Sequence, residues 1–158
     1  MAEKTNVMRM LEQKKIAYIP HEYPHGDEAV DGVTVAGLIG ADPAAVFKTL
    51  VLRGASKAVY VFVIPVVAEL DLKKAAKAVK EKSVAMLHVS EINDITGYVR
   101  GGCSPVGMKK LFPTTHHSSI EALDAVIVSA GKIGCQVELA PEALIKLTRG
   151  RIADITAE

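Results

Sequence analysis

The sequence predicts an α+β fold, a mixed and largely antiparallel sheet flanked by helices. Three observations carry that prediction. Segments of helical and of strand periodicity follow one another without a regular strand–helix–strand alternation. Turn signals that close hairpins outnumber the long crossovers that parallel neighbours require. Hydrophobic residues make up 49% of the chain against 23% charged, enough apolar side chain for a true core. At 158 residues the chain reads as one domain, 1–158, and with aromatics at 4% and no Trp its core is aliphatic.

Each element has a local cause. Thr5 caps a first helix bearing Val7, Met8, Met10, Leu11 and Ile16 at helical spacing. Tyr18 to Tyr23 reads as a short strand, and Pro24-His25-Gly26-Asp27 as a turn. Thr34 starts a short helix over 35–39, with Gly40 at its left-handed end, and Asp42-Pro43 repeats the start signal. Phe47 to Arg53 is a strand, and Gly54-Ala55-Ser56-Lys57 turns it into Ala58 to Ile64, apolar on both faces and therefore buried on both. A helix over 69–82 buries Leu72, Ala75, Ala76 and Val79 and presents Lys73, Lys77 and Lys80 on its other side. Ser90 caps a short helix ending before Gly97. Tyr98-Val99-Arg100 reads as a strand, 114–119 as a polar turn and Ala125 to Ser129 as a strand. A turn over 130–134 leads into the strand Cys135 to Leu139, a helix over 141–147 and a last strand over 152–155.

Nineteen Lys and Arg against eighteen Asp and Glu give a net charge of +1, which excludes a histone-like protein and a polybasic arm. A nucleic-acid partner held by a local patch stays open. Cys103 and Cys135 are too few for a disulfide framework, and the polar start Met1-Ala2-Glu3-Lys4-Thr5-Asn6 does not read as a secretory leader. The longest apolar run, 58–67, is broken by Pro65 and falls short of a membrane span. The expectation is a cytoplasmic protein with reduced thiols.

Two features point to chemistry. Lys48 shares a strand face with Leu50 and Leu52, so its stem lies on apolar surface. Its ammonium either snorkels to the rim or is held in a pocket for an anion. Gly101 to Gly107 carries three glycines and Pro105 in seven residues. Such a loop either shapes a turn or lets a ribose, phosphate or carbonyl oxygen approach the backbone closely. It matches neither the Walker pattern nor the dinucleotide fingerprint. His21, His25, His116 and His117 lack the partners of a zinc pattern, so no metal is expected. Cys103 has no His or Asn placed in sequence to activate it. The face of Lys73, Lys77 and Lys80 is a solvated surface or a rest for phosphates.

Val46-Phe47-Lys48-Thr49-Leu50-Val51, then Pro65 to Lys74, then Thr96 to Gly107, then Val128-Ser129-Ala130-Gly131-Lys132 with Val137-Glu138-Leu139 resemble the YbaK/EbsC family in order and spacing. These are free-standing relatives of the editing domain inserted in bacterial prolyl-tRNA synthetases, and the resemblance covers nearly the whole chain. It implies a curved sheet or barrel flanked by helices, and a deacylase that clears cysteine mischarged onto proline tRNA in trans. Fit alone rejects a near-isostere poorly, so a second, hydrolytic site is the remedy. By the same resemblance Lys48 engages the phosphate or ribose of the acceptor end. Gly101, Gly102, Cys103, Ser104 and Pro105 form the family's G-x-x-x-P loop, which offers backbone donors to the ester carbonyl. Tyr23 and Ser129 match the family's early tyrosine and late serine. No cofactor and no protein nucleophile are implied, because the substrate's own thiol attacks its ester. The partners implied are the aminoacyl-tRNA and prolyl-tRNA synthetase. Gln136 departs from the Asp common in the family, which leaves open whether cysteine, alanine or another small residue is removed. A non-catalytic module for tRNA or synthetase is the alternative from another class.

Overall fold

A computed structural model of the chain describes residues 4–26 and 28–157. Residues 1–3, part of the segment read as leaderless, and Asp27 of the 24–27 turn lie outside the described residues. Helix α1 (Asn6–Gln13) starts where Thr5 accepts the Met8 N–H at 3.2 Å, and it buries Val7, Met8 and Leu11. Strand β1 (Tyr18–Glu22) follows. Helix α2 (Gly32–Leu38) begins earlier than its predicted start: Asp31, not Thr34, is the cap, accepting the Thr34 N–H at 2.8 Å and the Thr34 hydroxyl at 2.7 Å. A single 3₁₀ turn (Pro43–Ala45), capped by Asp42, then delivers the chain into the sheet.

The long hairpin is β2 (Phe47–Gly54) against β3 (Val59–Pro65), antiparallel, with Lys48 opposite Ile64 and Arg53 opposite Val59. Around it lie β4 (Val84–Met86), β5 (Thr114–His117) and β8 (Arg151–Ala153), in the order β4-β2-β3-β5-β8. A second sheet, wholly antiparallel, runs β1-β7-β6, with β6 at Val126–Lys132 and β7 at Cys135–Leu139. Among the described residues, parallel strand pairs within a sheet are β3–β5 and β5–β8. The expected mixed and largely antiparallel α+β architecture is therefore the one observed. A parallel bridge from Val46 to Ile127 joins the two sheets.

Phe47, Val61 and Val63 of the first sheet meet Val126, Val128 and Val137 of the second in the main core, closed by α1 and by Leu144 of α5 (Pro141–Thr148). On the opposite face of the hairpin, Leu52, Phe62 and Ile64 bury Ala75 and Ala76 of α3 (Leu72–Ala78). Two cores on two faces explain why Ala58 to Ile64 is apolar throughout.

Further readings of the sequence are corrected. Helix α3 is half the predicted length: Asp71 caps it, the preceding residues pair with the end of the chain (Leu70 with Thr156), and Lys80 leaves the helix with φ +60°. Leu72 sits in its first turn and is exposed rather than buried. Tyr98-Val99-Arg100 is a loop, because Gly97 ends α4 (Val89–Thr96) in the left-handed conformation and the Tyr98 N–H turns back onto the Thr96 hydroxyl. Helix α4 itself is capped at His88, not Ser90. Residues 114–117 are the interior strand β5 instead of a polar turn. Among the described residues no helix is long and apolar enough to cross a membrane.

Candidate functional site

Beyond the Val46–Ile127 bridge, β2 and β6 run the same way without further pairing, and β4 covers only the far end of β2, Leu52–Gly54. A cavity of about 440 Å³ opens in the gap, a size suited to a small organic ligand. Two residues past the bridge on one side is Lys48, and two past it on the other is Ser129; both line the cavity. Ser129 pairs across the strands with Gln136, and Tyr23, leaving β1, stands beside them. Tyr23, Ser129 and Gln136 are nearly buried and form the floor. Among the described residues neither the Lys48 ammonium nor the Gln136 amide has a side-chain partner. The Ser129 hydroxyl accepts the Gly131 N–H at 3.1 Å.

The glycine loop forms part of the opposite wall. Gly101 and Cys103 line the cavity, whereas Gly102, Ser104 and Pro105 do not. Gly101 has φ +86°, and a Cβ there would stand 2.5 Å from the Ala29 side chain. A Cβ on Gly102 would meet backbone atoms of Lys132 and Ile133 at 2.9 Å. The Gly102 N–H already donates to the Val99 carbonyl at 3.0 Å. That donor, expected to face an ester, is thus taken. The Ser104 hydroxyl, fully buried, accepts the Val106 N–H at 3.2 Å. Burial pushes the Cys103 thiol up to about 12, so it is held protonated.

A model of the aminoacyl-tRNA editing domain matches residues 27–147 of the chain, taking in Lys48, the glycine loop, Ser129 and Gln136. The chain belongs to the aminoacyl-tRNA editing domain family. It is 48% identical over 156 residues to an Enterococcus faecalis protein provisionally named Cys-tRNA(Pro)/Cys-tRNA(Cys) deacylase EbsC, spanning 99% of this chain and 95% of that one. Among solved structures it is similar to one described as a provisional trans-editing enzyme for prolyl tRNA synthetase, at 23% identity and TM-score 0.84, over 99% of this chain and all of that one. A scaffold protein used for epitope grafting shares the fold at 24% identity and TM-score 0.83, over 96% of this chain and 95% of that one. At those identities the two structures speak for the fold alone.

This editing domain also carries cavity residues that the sequence reading gave no role. Thr49 lies next to Lys48, and its hydroxyl is buried without a partner among the described residues. Arg100, inside the quoted motif, adds a second cation, and Asp31 adds a carboxylate, held below its usual range by the Thr34 hydroxyl and N–H. The signal for Thr49 and Arg100 was adjacency to Lys48 and Gly101. Asp31 gave none beyond a capping pattern. No histidine lines the cavity, and among the described residues no cluster of His, Cys, Asp or Glu could hold a metal ion.

Proposed function

We propose that this protein is an aminoacyl-tRNA deacylase that removes cysteine from mischarged proline tRNA in trans, its chain acting as one free-standing domain. One juxtaposition carries the reading: the Lys48 ammonium, without a partner among the described residues, and the loop residues Gly101 and Cys103 line the same cavity, over a floor of Ser129 and Gln136. The relative's name supports the reaction class. Lys48 draws in phosphate or ribose oxygens of the 3′ end. The N–H groups of Gly101 and Cys103 carry no backbone hydrogen bond among the described residues, and they are the donors for the ester oxygen. Gly102 serves by letting the loop lie flat on the turn behind it. Tyr23 closes the floor against the amino acid.

The reaction needs no nucleophile from the protein. The substrate's sulfur bonds to its own carbonyl carbon, the ester C–O bond breaks, and the thiol proton passes to the departing ribose oxygen. The products are free tRNA and a cyclic thioester, whose C–S bond water then opens to give free cysteine. Holding sulfur and carbonyl together in the hollow is the protein's main contribution. Cys103, protonated by burial, does not compete. Phosphate contacts carry no sequence information, so prolyl-tRNA synthetase supplies the choice of tRNA.

Gln136 supports a second reading, removal of alanine or another small residue, because a neutral amide stands where a carboxylate would hold an amino group or thiol. Purified protein incubated side by side with Cys-tRNA(Pro) and Ala-tRNA(Pro) decides between them. Free cysteine should appear from the first, and Lys48→Ala should slow release at least ten-fold. Faster release of alanine selects the second reading. Esters left intact by excess protein overturn both and leave a binding module.

A further inference from the structure

The charge of this chain is nearly balanced overall, yet it is unevenly spread. Lys73 and Lys77 on α3, Lys80 just after it, and Lys82 line one depression on the surface. All four are exposed, and among the described residues none has an ion-pair partner. The carboxylates nearby are engaged elsewhere. Asp71 caps the Lys73 and Lys74 N–H groups at 2.9 and 3.0 Å. Glu81 also lines the depression, but it accepts from the Ser56 hydroxyl and, at 2.6 Å, from Tyr60 in the β2–β3 hairpin. Asp154 pairs with Lys74 at 3.3 Å, on the other flank.

The arrangement works against local stability. Lys73 and Lys77, four residues apart on α3, repel one another. Lys80 also holds a left-handed backbone, φ +60°, that disfavours side chains other than glycine. The depression is thus a concave cationic surface maintained at some expense to the fold.

Its position relative to the cavity is informative. Helix α3 packs on the face of β2 and β3 that carries Leu52, Phe62 and Ile64. By alternation, Lys48, opposite Ile64, belongs to that same face. The end of the depression is tied to the hairpin turn, where the Ala55 N–H donates to the Ser83 carbonyl at 3.0 Å. Strand rise puts that turn about 20 Å along β2 from Lys48. A single-stranded 3′ end of a few nucleotides spans such a distance.

We propose that this depression seats the sugar–phosphate backbone of the double-helical acceptor stem of the same tRNA whose 3′ end enters the cavity. The choice of RNA as the occupant rests on the deacylase reading. The lysines contact phosphates, so they add affinity without discriminating sequence.

The test uses the full chain and an uncharged proline tRNA transcript, with binding read by fluorescence anisotropy at 50 to 200 mM KCl. Combined Lys73→Gln, Lys77→Gln and Lys80→Gln should weaken binding about ten-fold at 100 mM and lower the slope of log Kd against log salt by about 2 to 3. The matching Lys→Arg variant should bind within about two-fold of the unmodified protein, showing that charge rather than folding is at issue. Binding of a CCA trinucleotide should change by less than about two-fold. An unchanged slope, equal losses on tRNA and trinucleotide, or no tRNA binding by the unmodified protein overturns the proposal. So does loss of binding to purified prolyl-tRNA synthetase with tRNA binding intact, which assigns the patch to an acidic protein face. Uncharged tRNA holds no ester, so an inactive but tRNA-binding protein defeats the deacylase reading and not this one.

Discussion

Acid should destabilise this protein through His116, by an amount the structure sets. The imidazole is fully buried in β5. Its Nε2 lies 2.8 Å from the Thr148 hydroxyl, which itself donates to the Leu144 carbonyl at 3.1 Å. The hydroxyl proton is therefore committed, Nε2–H is the donor to its oxygen, and Nδ1 is a bare nitrogen without a partner among the described residues. Protonation would place a charge and an unsatisfied N–H in the core, and burial lowers the group to about 4 from 6.5. Because the folded value lies below the unfolded one, stability is complete above pH 6.5. It is lost as pH falls toward 4, where the unfolded chain takes up a proton that the folded chain refuses. At 1.36 kcal/mol per pH unit the full loss is about 3 kcal/mol, and between pH 7 and 5 about 2 kcal/mol. His117, also lowered by burial, contributes in the same direction. Urea unfolding at pH 7 and pH 5 measures the loss directly, and in a thermal scan it is a fall of roughly 4 to 8 °C. His116→Phe keeps the shape without the proton site, and its stability should fall correspondingly less over that range. Equal losses in the unmodified and His116→Phe proteins would refute the reasoning.

Three further outcomes are expected. Gly102→Ala should lower stability by about 1 to 3 kcal/mol in denaturant titrations, since its Cβ lands 2.9 Å from three backbone atoms; a stability equal to the parent's refutes that packing role. Neither thiol should react with iodoacetamide at pH 8 while the protein is folded, because burial raises both Cys103 and Cys135. Stoichiometric labelling at Cys103 before unfolding, read by mass spectrometry, contradicts the assignment. Lys48→Ala should leave the melting temperature within about 2 °C while removing most deacylation, because Lys48 is partly exposed and has no partner among the described residues; parallel losses of both make Lys48 a structural residue.

The hairpin was legible because Phe47 to Ile64 combines strand periodicity with a clear glycine turn, and α1 because Thr5 precedes a regular apolar spacing. Strand β5 was not. Thr114-Thr115-His116-His117 is polar at every position, and only partners distant in sequence, such as Thr148 and the chain end at 155–156, make its burial tolerable. The length of α3 was equally hidden, since Glu69 to Asp71 is drawn off by pairing with residues 155–157. At the site, the wall positions of Lys48, Gly101 and Cys103 and the floor positions of Tyr23, Ser129 and Gln136 follow motifs visible in the chain. Which loop donors are free did not. That depends on Gly102 turning its N–H toward Val99, a matter of backbone direction that residue type does not encode.

The cavity draws its walls from Tyr23, Lys48, Gly101, Ser129 and Gln136, spread across most of the chain, and it exists only where β6 and β7 have joined β1 and met the long hairpin. No fragment lacking residues 126–139 retains the hollow. During synthesis, then, a nascent chain carries Lys48 on an unfinished hairpin with nothing to enclose, and the hollow forms only once residues 126–139 have left the ribosome.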